Sequence, residues 1–67
     1  MKIFGDRLKE LRQDKGMSIL KLSKFIGISD ASICRWENNL TDIKGEQLVT
    51  IAKFFNVTTD YLLGLED

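Results

Sequence analysis

The chain has 67 residues, of which 43% are apolar, and its ten basic and ten acidic residues give a net charge of zero. A chain of this length forms one small domain that buries about 60% of its unfolded surface, which leaves little room for an enclosed active site. With one cysteine and no histidine, an internal disulfide is excluded and a zinc site is not expected. We expect no metal, no cofactor and no enzymatic activity, because no group of catalytic residues stands out.

No apolar run approaches the ~20 residues that a membrane-spanning helix needs, and no signal-peptide pattern opens the chain. We therefore expect a cytoplasmic protein with no membrane partner. The charges are unevenly distributed, since eight of the ten basic residues but only four of the ten acidic residues fall within residues 1–35. A basic half is able to bind phosphate locally, although ordinary surface charge explains the same asymmetry.

Apolar residues recur at helical spacing along the whole chain, and no stretch alternates with the period of a strand. The first apolar stripe runs through Phe4, Leu8 and Leu11 to Lys15, and Gly16 suits the left-handed residue that closes a helix. The pattern predicts an all-α fold, a compact five-helix bundle, within a single domain of residues 1–67. The predicted helices span about residues 3–15, 19–26, 30–38, 45–55 and 59–63.

The predicted helix starts share a pattern in which an apolar residue just before a cap matches another apolar residue five positions later. The pattern occurs as Met17/Leu22, Ile28/Ile33 and Val57/Leu62, around the caps Ser18, Ser29 and Thr58. Ile43 and Leu48 have the same spacing, but the cap between them would be Lys44, which is a poor capping residue. Three well-capped starts and one imperfect start argue for five short helices.

Two residues, Gly27 and Ile28, separate the second predicted helix from Ser29, so the second and third helices must meet at a steep angle. Glycine supplies the backbone freedom that this corner needs. A helix, a short glycine-containing turn and a second helix with an exposed N-terminus form the plan of a helix-turn-helix. The same spacing also fits a plain helical hairpin in a small bundle.

The chain contains, in order, the stretches FGDRLKELRQDKGMS, GIS, ICRWEN and LVTIAKFFNVTTDYLLG. Together they resemble the helix-turn-helix domain of the lambdoid phage repressor and Cro family, the xenobiotic-response-element group of bacterial and phage regulators. The resemblance covers nearly the whole chain. It implies a bundle of five helices that binds palindromic operators on double-stranded DNA as a dimer, with the third helix, Ser29 to Asn38, as the recognition helix.

The third helix is expected to turn Ile33 and Trp36 toward the core and an opposite face toward DNA. The candidate base-contacting residues on that face are Asp30, Ala31, Cys34 and Arg35. Arg35 suits bidentate pairing with guanine O6 and N7, and a phosphate contact is the alternative. Asp30 complements the positive N-terminus of the helix and is able to accept from cytosine N4, but it repels phosphates. The family commonly has a neutral polar residue there.

Groups around the third helix are candidates for contacts with the DNA backbone. These candidates are Arg12, Lys21, Ser29, Ser32, Asn38, Asn39, Thr41 and Lys44. Arg12 and Glu37 both lie at inward positions of their helices, so we expect a structural ion pair, because an unpaired buried charge is costly. The resemblance implies the same pairing, which joins the first helix to the end of the recognition helix.

Apolar residues on the second helix argue against simple DNA binding. Ile19 stands where the family usually has a phosphate-binding glutamine, and Leu20 and Phe25 are expected at the surface. Apolar side chains on the edge that should approach DNA are typical of a protein-binding patch. These three residues are therefore the candidate site for a protein partner.

The C-terminal residues Tyr61, Leu63 and Leu65 exceed what a one-turn helix buries. They either cover the base of the core or form a dimer interface. We expect a homodimer, in which two-fold symmetry places two recognition helices about 34 Å apart, one turn of DNA.

These features predict a small transcriptional regulator, a repressor, that binds double-stranded DNA as a dimer and reads the major groove with its third helix. A second interpretation is a protein-interaction module on the same fold, antirepressor-like or antitoxin-like, which the zero net charge, Asp30 and Ile19 favour. A third is the N-terminal domain of a longer repressor.

Overall fold

The computed structural model of the chain describes residues 2–66. Within that range it contains five α-helices and no strand, which confirms the predicted fold class. The helices are α1 (Lys2–Asp14), α2 (Ile19–Ile26), α3 (Asp30–Glu37), α4 (Gly45–Phe55) and α5 (Thr59–Leu62). The predicted domain limits, residues 1 and 67, lie outside the described residues. None of these helices combines the length and the hydropathy that crossing a bilayer demands.

Local capping sets most of the helix ends. The hydroxyls of Ser18, Ser29 and Thr58 each accept a hydrogen bond from the backbone amide three residues later, so α2, α3 and α5 begin with a side-chain cap. Lys44 precedes α4 and makes no capping hydrogen bond. At the other end of α4, Asn56 adopts the left-handed conformation with φ of 56° and closes the helix.

Helix α1 ends one residue earlier than predicted. The amide of Lys15 is shared between the carbonyls of Leu11, at 3.3 Å, and Arg12, at 3.2 Å, which tightens the last turn. Gly16 follows with φ of 66°. The expectation that Lys15 continues the inward stripe is therefore wrong, because the chain turns away and leaves this side chain exposed. Helices α3 and α5 also end one residue before their predicted limits.

A single apolar core lies where the five helices meet. Its buried side chains are Phe4, Leu8, Met17, Leu22, Ile33, Trp36, Leu48, Ile51, Ala52, Phe55 and Leu62. Phe4 of α1 packs edge-to-face on Trp36 of α3, with ring centroids 6.2 Å apart. Each helix contributes at least one of these residues, so the orientation of α3 is set by burial on its inner side.

The corner between α2 and α3 is closed by two features. Gly27 adopts the left-handed conformation with φ of 70°, and its amide donates to the carbonyl of Ser23. The Ser23 hydroxyl in turn donates to the carbonyl of Ile28 at 2.6 Å. A small polar side chain therefore bridges the turn between α2 and α3 with a hydrogen bond.

Helix α1 approaches the end of α3 at a glycine. A Cβ atom on Gly5 would lie only 2.3 Å from the carbonyl oxygen of Trp36 and 2.5 Å from Oδ1 of Asn39. Real Cβ atoms do not come this close to backbone oxygens, so no larger residue fits without moving one of the helices. Gly5 therefore allows α1 to support α3 from behind.

Candidate nucleic-acid interface

Helix α3 presents one face to solvent. Its inner residues Ile33 and Trp36 are buried, whereas its four predicted base-contacting residues are exposed. We call these four residues the reading face: Asp30, Ala31, Cys34 and Arg35. They lie on one side of the helix because positions four apart are neighbours on its surface. The reading face is thus a short exposed surface of two charged and two small residues on a helix whose opposite side is part of the core.

The N-terminal turn of α3 is organised by its own side chains. Ser29 Oγ accepts from the amide of Ser32 at 3.2 Å and donates to Ser32 Oγ at 2.9 Å. Asp30 Oδ1 accepts from the amide of Ala31 at 2.9 Å. The Asp30 carboxylate therefore satisfies an N-terminal donor of the helix, and it also puts a negative charge at the tip of the reading face.

The C-terminal turn of α3 is held by Asn38. Its Nδ2 donates to the carbonyl of Cys34 at 2.9 Å and lies 3.4 Å from the thiol Sγ. Asn39 follows in the left-handed conformation with φ of 59°, and the amide of Leu40 donates to the carbonyl of Arg35 at 2.8 Å. Carbonyl groups in the last turn of α3 therefore have hydrogen-bond partners, and the chain continues from there toward α4.

Arg12 and Glu37 form the ion pair that joins α1 to the last turn of α3. Arg12 Nε and Nη2 donate to the two carboxylate oxygens at 2.7 Å and 2.9 Å, and Nη1 donates to the carbonyl of Met17 at 2.7 Å. The side chains are only 12% and 4% exposed. The hydrogen bond to Glu37 raises the pKa of Arg12 further above its ordinary value, against the opposing effect of burial. The pair therefore stays charged and fixes two elements with forked geometry.

The other candidate backbone contacts surround α3. Those with exposed side chains are Lys21, Ser29, Asn38, Asn39, Thr41 and Lys44. Ser32 is half-buried, and Arg12 is mostly enclosed by its three hydrogen bonds. The exposed candidates come from the start of α2, the ends of α3 and the segment before α4, so they flank the reading face in sequence on both sides.

Helix α2 separates the three apolar residues of the candidate partner site. Ile19 is half-buried and packs against the core. Leu20 and Phe25 are 54% and 62% exposed. The structure therefore presents Leu20 and Phe25 to solvent and assigns much of the Ile19 side chain to packing.

The C-terminal segment is tied to α1 by a residue that sequence reasoning missed. Arg7 Nη1 donates to the carbonyls of Tyr61, at 2.6 Å, and Glu66, at 2.7 Å, and its guanidinium lies 4.3 Å from the Tyr61 ring centroid. Tyr61 and Leu63 are half-buried, whereas Leu65 is 73% exposed. No local pattern announces a contact across 54 positions. Gly5, also missed, did leave a signal, because glycine is unusual inside a helical pattern.

A supporting helix and a second helix with one exposed face, joined by a short glycine-containing corner inside an all-α bundle, define a helix-turn-helix domain. Residues 2–66 contain no group of three or more cysteine, aspartate or glutamate side chains placed to hold a metal ion. The chain belongs to the helix-turn-helix family HTH_3, whose model matches residues 8–62. The resemblance seen in the sequence is confirmed.

Two curated relatives are similar over most of this chain. Repressor protein C2 of Salmonella phage P22 is 31% identical over 61 residues, which are 91% of this chain and 28% of that protein. The HTH-type transcriptional regulator ImmR of Bacillus subtilis (strain 168) is 32% identical over 63 residues, 94% of this chain and 50% of that protein. The chain therefore spans half or less of the length of these relatives.

Two solved structures share the fold. The crystal structure of the P22 c2 repressor in complex with synthetic operator 9T has a TM-score of 0.84 and 29% identity, covering 92% of this chain and 94% of that chain. The structure of SinR, a master regulator for biofilm formation, in complex with DNA has a TM-score of 0.83 and 28% identity, covering 90% and 97%.

Proposed function

We propose that this chain is a sequence-specific double-stranded DNA-binding domain that regulates transcription as a repressor, with α3 in the major groove. The observation that carries the proposal is the reading face, an exposed surface of two charged and two small residues on a helix held from behind by the core, Gly5 and the Arg12–Glu37 pair. The similarity of this chain to a repressor whose crystal structure was determined in complex with operator DNA supports the same role. The proposal assigns the chain no catalytic role.

Each residue of the reading face has a chemical role in this proposal. Arg35 pairs with guanine O6 and N7, and Ala31 contacts a thymine methyl group. Asp30 accepts from cytosine N4 and disfavours other contacts through its charge. Cys34 is a small neutral residue that lets the helix approach the floor of the groove. A DNA-contacting face with one arginine and one aspartate favours a site that contains both guanine and cytosine.

Contacts with phosphates position the reading face without specifying sequence. In the proposal, Lys21 and Lys44 supply charge from either side of α3, and Asn38, Asn39 and Thr41 supply hydrogen bonds. Ser29, Ser32 and Arg12 are secondary contacts, because the Ser29 hydroxyl caps α3, Ser32 is half-buried and Arg12 is held by Glu37. With zero net charge, binding depends on this local arrangement, so we expect a strong dependence on salt.

We propose that two copies associate through the C-terminal segment that contains Tyr61, Leu63 and Leu65. The exposed Leu65 side chain supports this proposal, and Arg7 gives the segment a defined position on α1. Two-fold symmetry would match the two half-sites of a palindromic operator. The matching measurement is sedimentation equilibrium, in which Leu65→Lys should favour the monomer and Val49→Lys should not.

The proposed function is tested by fluorescence anisotropy with labelled duplexes, one from upstream of the chain's own gene and one unrelated, across a series of salt concentrations. Specific binding predicts high affinity for one duplex, with log K falling linearly against log salt. The slope counts the phosphates neutralised. Equal and weak binding to both duplexes, lost near physiological salt, would overturn the proposal.

A further inference from the structure

The solvent side of α2 carries two large apolar side chains that DNA binding does not use. Four residues point away from the core on this helix: Leu20, Lys21, Lys24 and Phe25. We call these four residues the α2 outer face. Leu20 and Phe25 are 54% and 62% exposed. Exposed leucine and phenylalanine on one short helix are more than isolated surface residues, because together they border a single groove.

The groove of the α2 outer face is shallow and open, with a volume of about 510 Å³, and it is lined by these four residues and Ser18. Leu20 and Lys24 lie one turn apart on one side of it, and Lys21 and Phe25 lie one turn apart on the other. Each side therefore pairs one apolar side chain with one ammonium group.

The apolar surface continues from α2 onto α4. The Phe25 ring lies 5.9 Å from the Phe54 ring, which packs edge-to-face on the buried Phe55 at 5.0 Å. Lys15 Nζ lies 5.9 Å from the centroid of Phe54. Phe25 is thus held in place by a ring that is anchored in the core, and a third lysine borders the patch.

The charges at this groove are all positive. Its charged lining residues are Lys21 and Lys24, Lys15 lies at the neighbouring ring, and neither the lining nor α2 contains an acidic residue. In a chain of zero net charge, this is a local concentration of one sign. DNA phosphates would satisfy the lysines, but a hydrated polyanion leaves Leu20 and Phe25 without a partner.

We propose that the α2 outer face binds an acidic amphipathic helix of a partner protein. The argument is charge complementarity combined with spacing. Lys21 and Lys24 are one helical turn apart, so they match carboxylates one turn apart on a facing helix. Apolar residues on a stripe beside those carboxylates enter the groove against Leu20 and Phe25, the helix-in-groove mode of recognition.

Docking of this partner opposes DNA binding. Lys21 is shared, because it lies in the first turn of α2 and is also a proposed phosphate contact. An acidic helix on the α2 outer face neutralises that charge and adds negative charge beside the DNA backbone. This consequence rests on the proposed function, whereas the docking itself does not.

The probe is a synthetic acidic peptide of about 18 residues, long enough to be helical, with leucines along one face and glutamates beside them. Titrated into the ¹⁵N-labelled full chain, it should shift the amide signals of α2 and leave those of the reading face unchanged. A counterpart with lysine in place of glutamate should bind at least about tenfold more weakly. Equal binding of the two peptides, or shifts that map elsewhere, would overturn the proposal.

Matched variants locate the contact. Leu20→Ser should weaken binding of the acidic peptide about tenfold. Val49→Ser removes another partly exposed apolar residue, 43% exposed on α4, and should change the affinity less than about twofold. Circular dichroism should show both variants folded, since both side chains are largely outside the core. Unchanged affinity in folded Leu20→Ser contradicts the proposal.

Two other occupants of the groove give different results. If a second copy of the chain covers it, Leu20→Ser dissociates a dimer in sedimentation equilibrium. If DNA covers it, Leu20→Ser weakens operator binding about tenfold. Either outcome, without tight binding of the acidic peptide, overturns the docking proposal.

Competition between peptide and labelled duplex separates the two proposals. The acidic peptide should displace the duplex from the chain, whereas its lysine counterpart should not. A chain that binds the peptide but no operator overturns the proposed function and leaves the docking site standing. A chain that binds its operator but not the peptide overturns the docking proposal and leaves the proposed function standing.

Discussion

The guanidinium of Arg12 lies against the carboxylate of Glu37 with two parallel hydrogen bonds, at 2.7 Å and 2.9 Å, across the junction of α1 and α3. The pair stands at the last turn of α3, two helical turns along α1 from the close approach at Gly5. One helix therefore supports the end of α3 through a charged contact and a steric contact at once.

Removing one member of this pair should be strongly destabilising. Glu37→Ala leaves the Arg12 charge enclosed without its partner, and we expect a loss of about 3–5 kcal/mol in the free energy of unfolding, measured by urea denaturation. Glu10→Ala on the exposed side of α1 is the control and should stay within about 0.5 kcal/mol. The double variant Arg12→Met with Glu37→Leu should recover a large part of the loss, because it leaves no charge unpaired. A small loss in Glu37→Ala would show that the pair is not stabilising.

Gly5→Ala should separate α1 from α3. The new methyl group meets the Trp36 carbonyl at 2.3 Å, so we expect a loss of about 1–3 kcal/mol in thermal or urea unfolding. Gly45→Ala is the matched control, because a Cβ there meets nothing within 4 Å. That change should be neutral or slightly stabilising, since alanine has the lower conformational entropy when unfolded. Equal effects at the two glycines would contradict the steric argument.

Lys44→Ser should raise stability and lower DNA affinity. Lys44 has the extended backbone of a cap but makes no capping hydrogen bond, so a serine there should add about 1 kcal/mol to the free energy of unfolding. If Lys44 contacts a phosphate, its loss also reduces the slope of log K against log salt by about 1. Lys53→Ser, at an exposed position on α4, should leave that slope unchanged.

Arg35→Ala should reduce the discrimination between operator and unrelated DNA by about 1–3 kcal/mol, because it removes the proposed bidentate contact with guanine. Lys53→Ala removes the same charge from an exposed position on α4 and should leave discrimination unchanged. Anisotropy on both duplexes gives the ratio directly. A uniform loss on both duplexes would instead assign Arg35 to a phosphate.

Asp30→Asn should bind unrelated DNA more tightly than the parent chain, because it removes a negative charge from the tip of the reading face, and it should discriminate less between operator and unrelated DNA, because it weakens the proposed contact with cytosine N4. The same change weakens the interaction with the helix N-terminus and should cost about 0.3–1 kcal/mol of stability. Asp60→Asn, in the first turn of α5, is the matched control. It should lose similar stability with no gain in affinity. Unchanged discrimination in Asp30→Asn would contradict the proposed contact between the carboxylate and cytosine.

The elements that could be predicted from the sequence are those with local causes. Periodicity and the Ser18 cap are sufficient for α2, and the side-chain cap at Ser29 marks the start of α3. The end of α1 was predicted one residue too late, because a tightened last turn leaves no mark in the apolar pattern.

The candidate site likewise has features that could be predicted from the sequence and features that could not. The exposure of the reading face follows from the opposite positions of Ile33 and Trp36, so it was predictable. The support by Gly5 and the attachment of the C-terminal segment by Arg7 depend on how distant segments meet. The ring contact between Phe25 and Phe54 also joins separate helices, so sequence spacing did not indicate that the apolar patch on α2 extends to α4.

The outward side of α3 also bears on how such a protein acquires a new target. Its exposed residues make their hydrogen bonds within or next to the helix, as with Asp30 to Ala31 and Asn38 to Cys34. If α3 reads DNA as proposed, exchanging these residues changes the sequence that the domain recognises at a small local cost in stability, because the core is not altered. A domain with this division of labour is suited to rapid divergence of target, because new specificities arise from a few surface replacements on an unchanged frame.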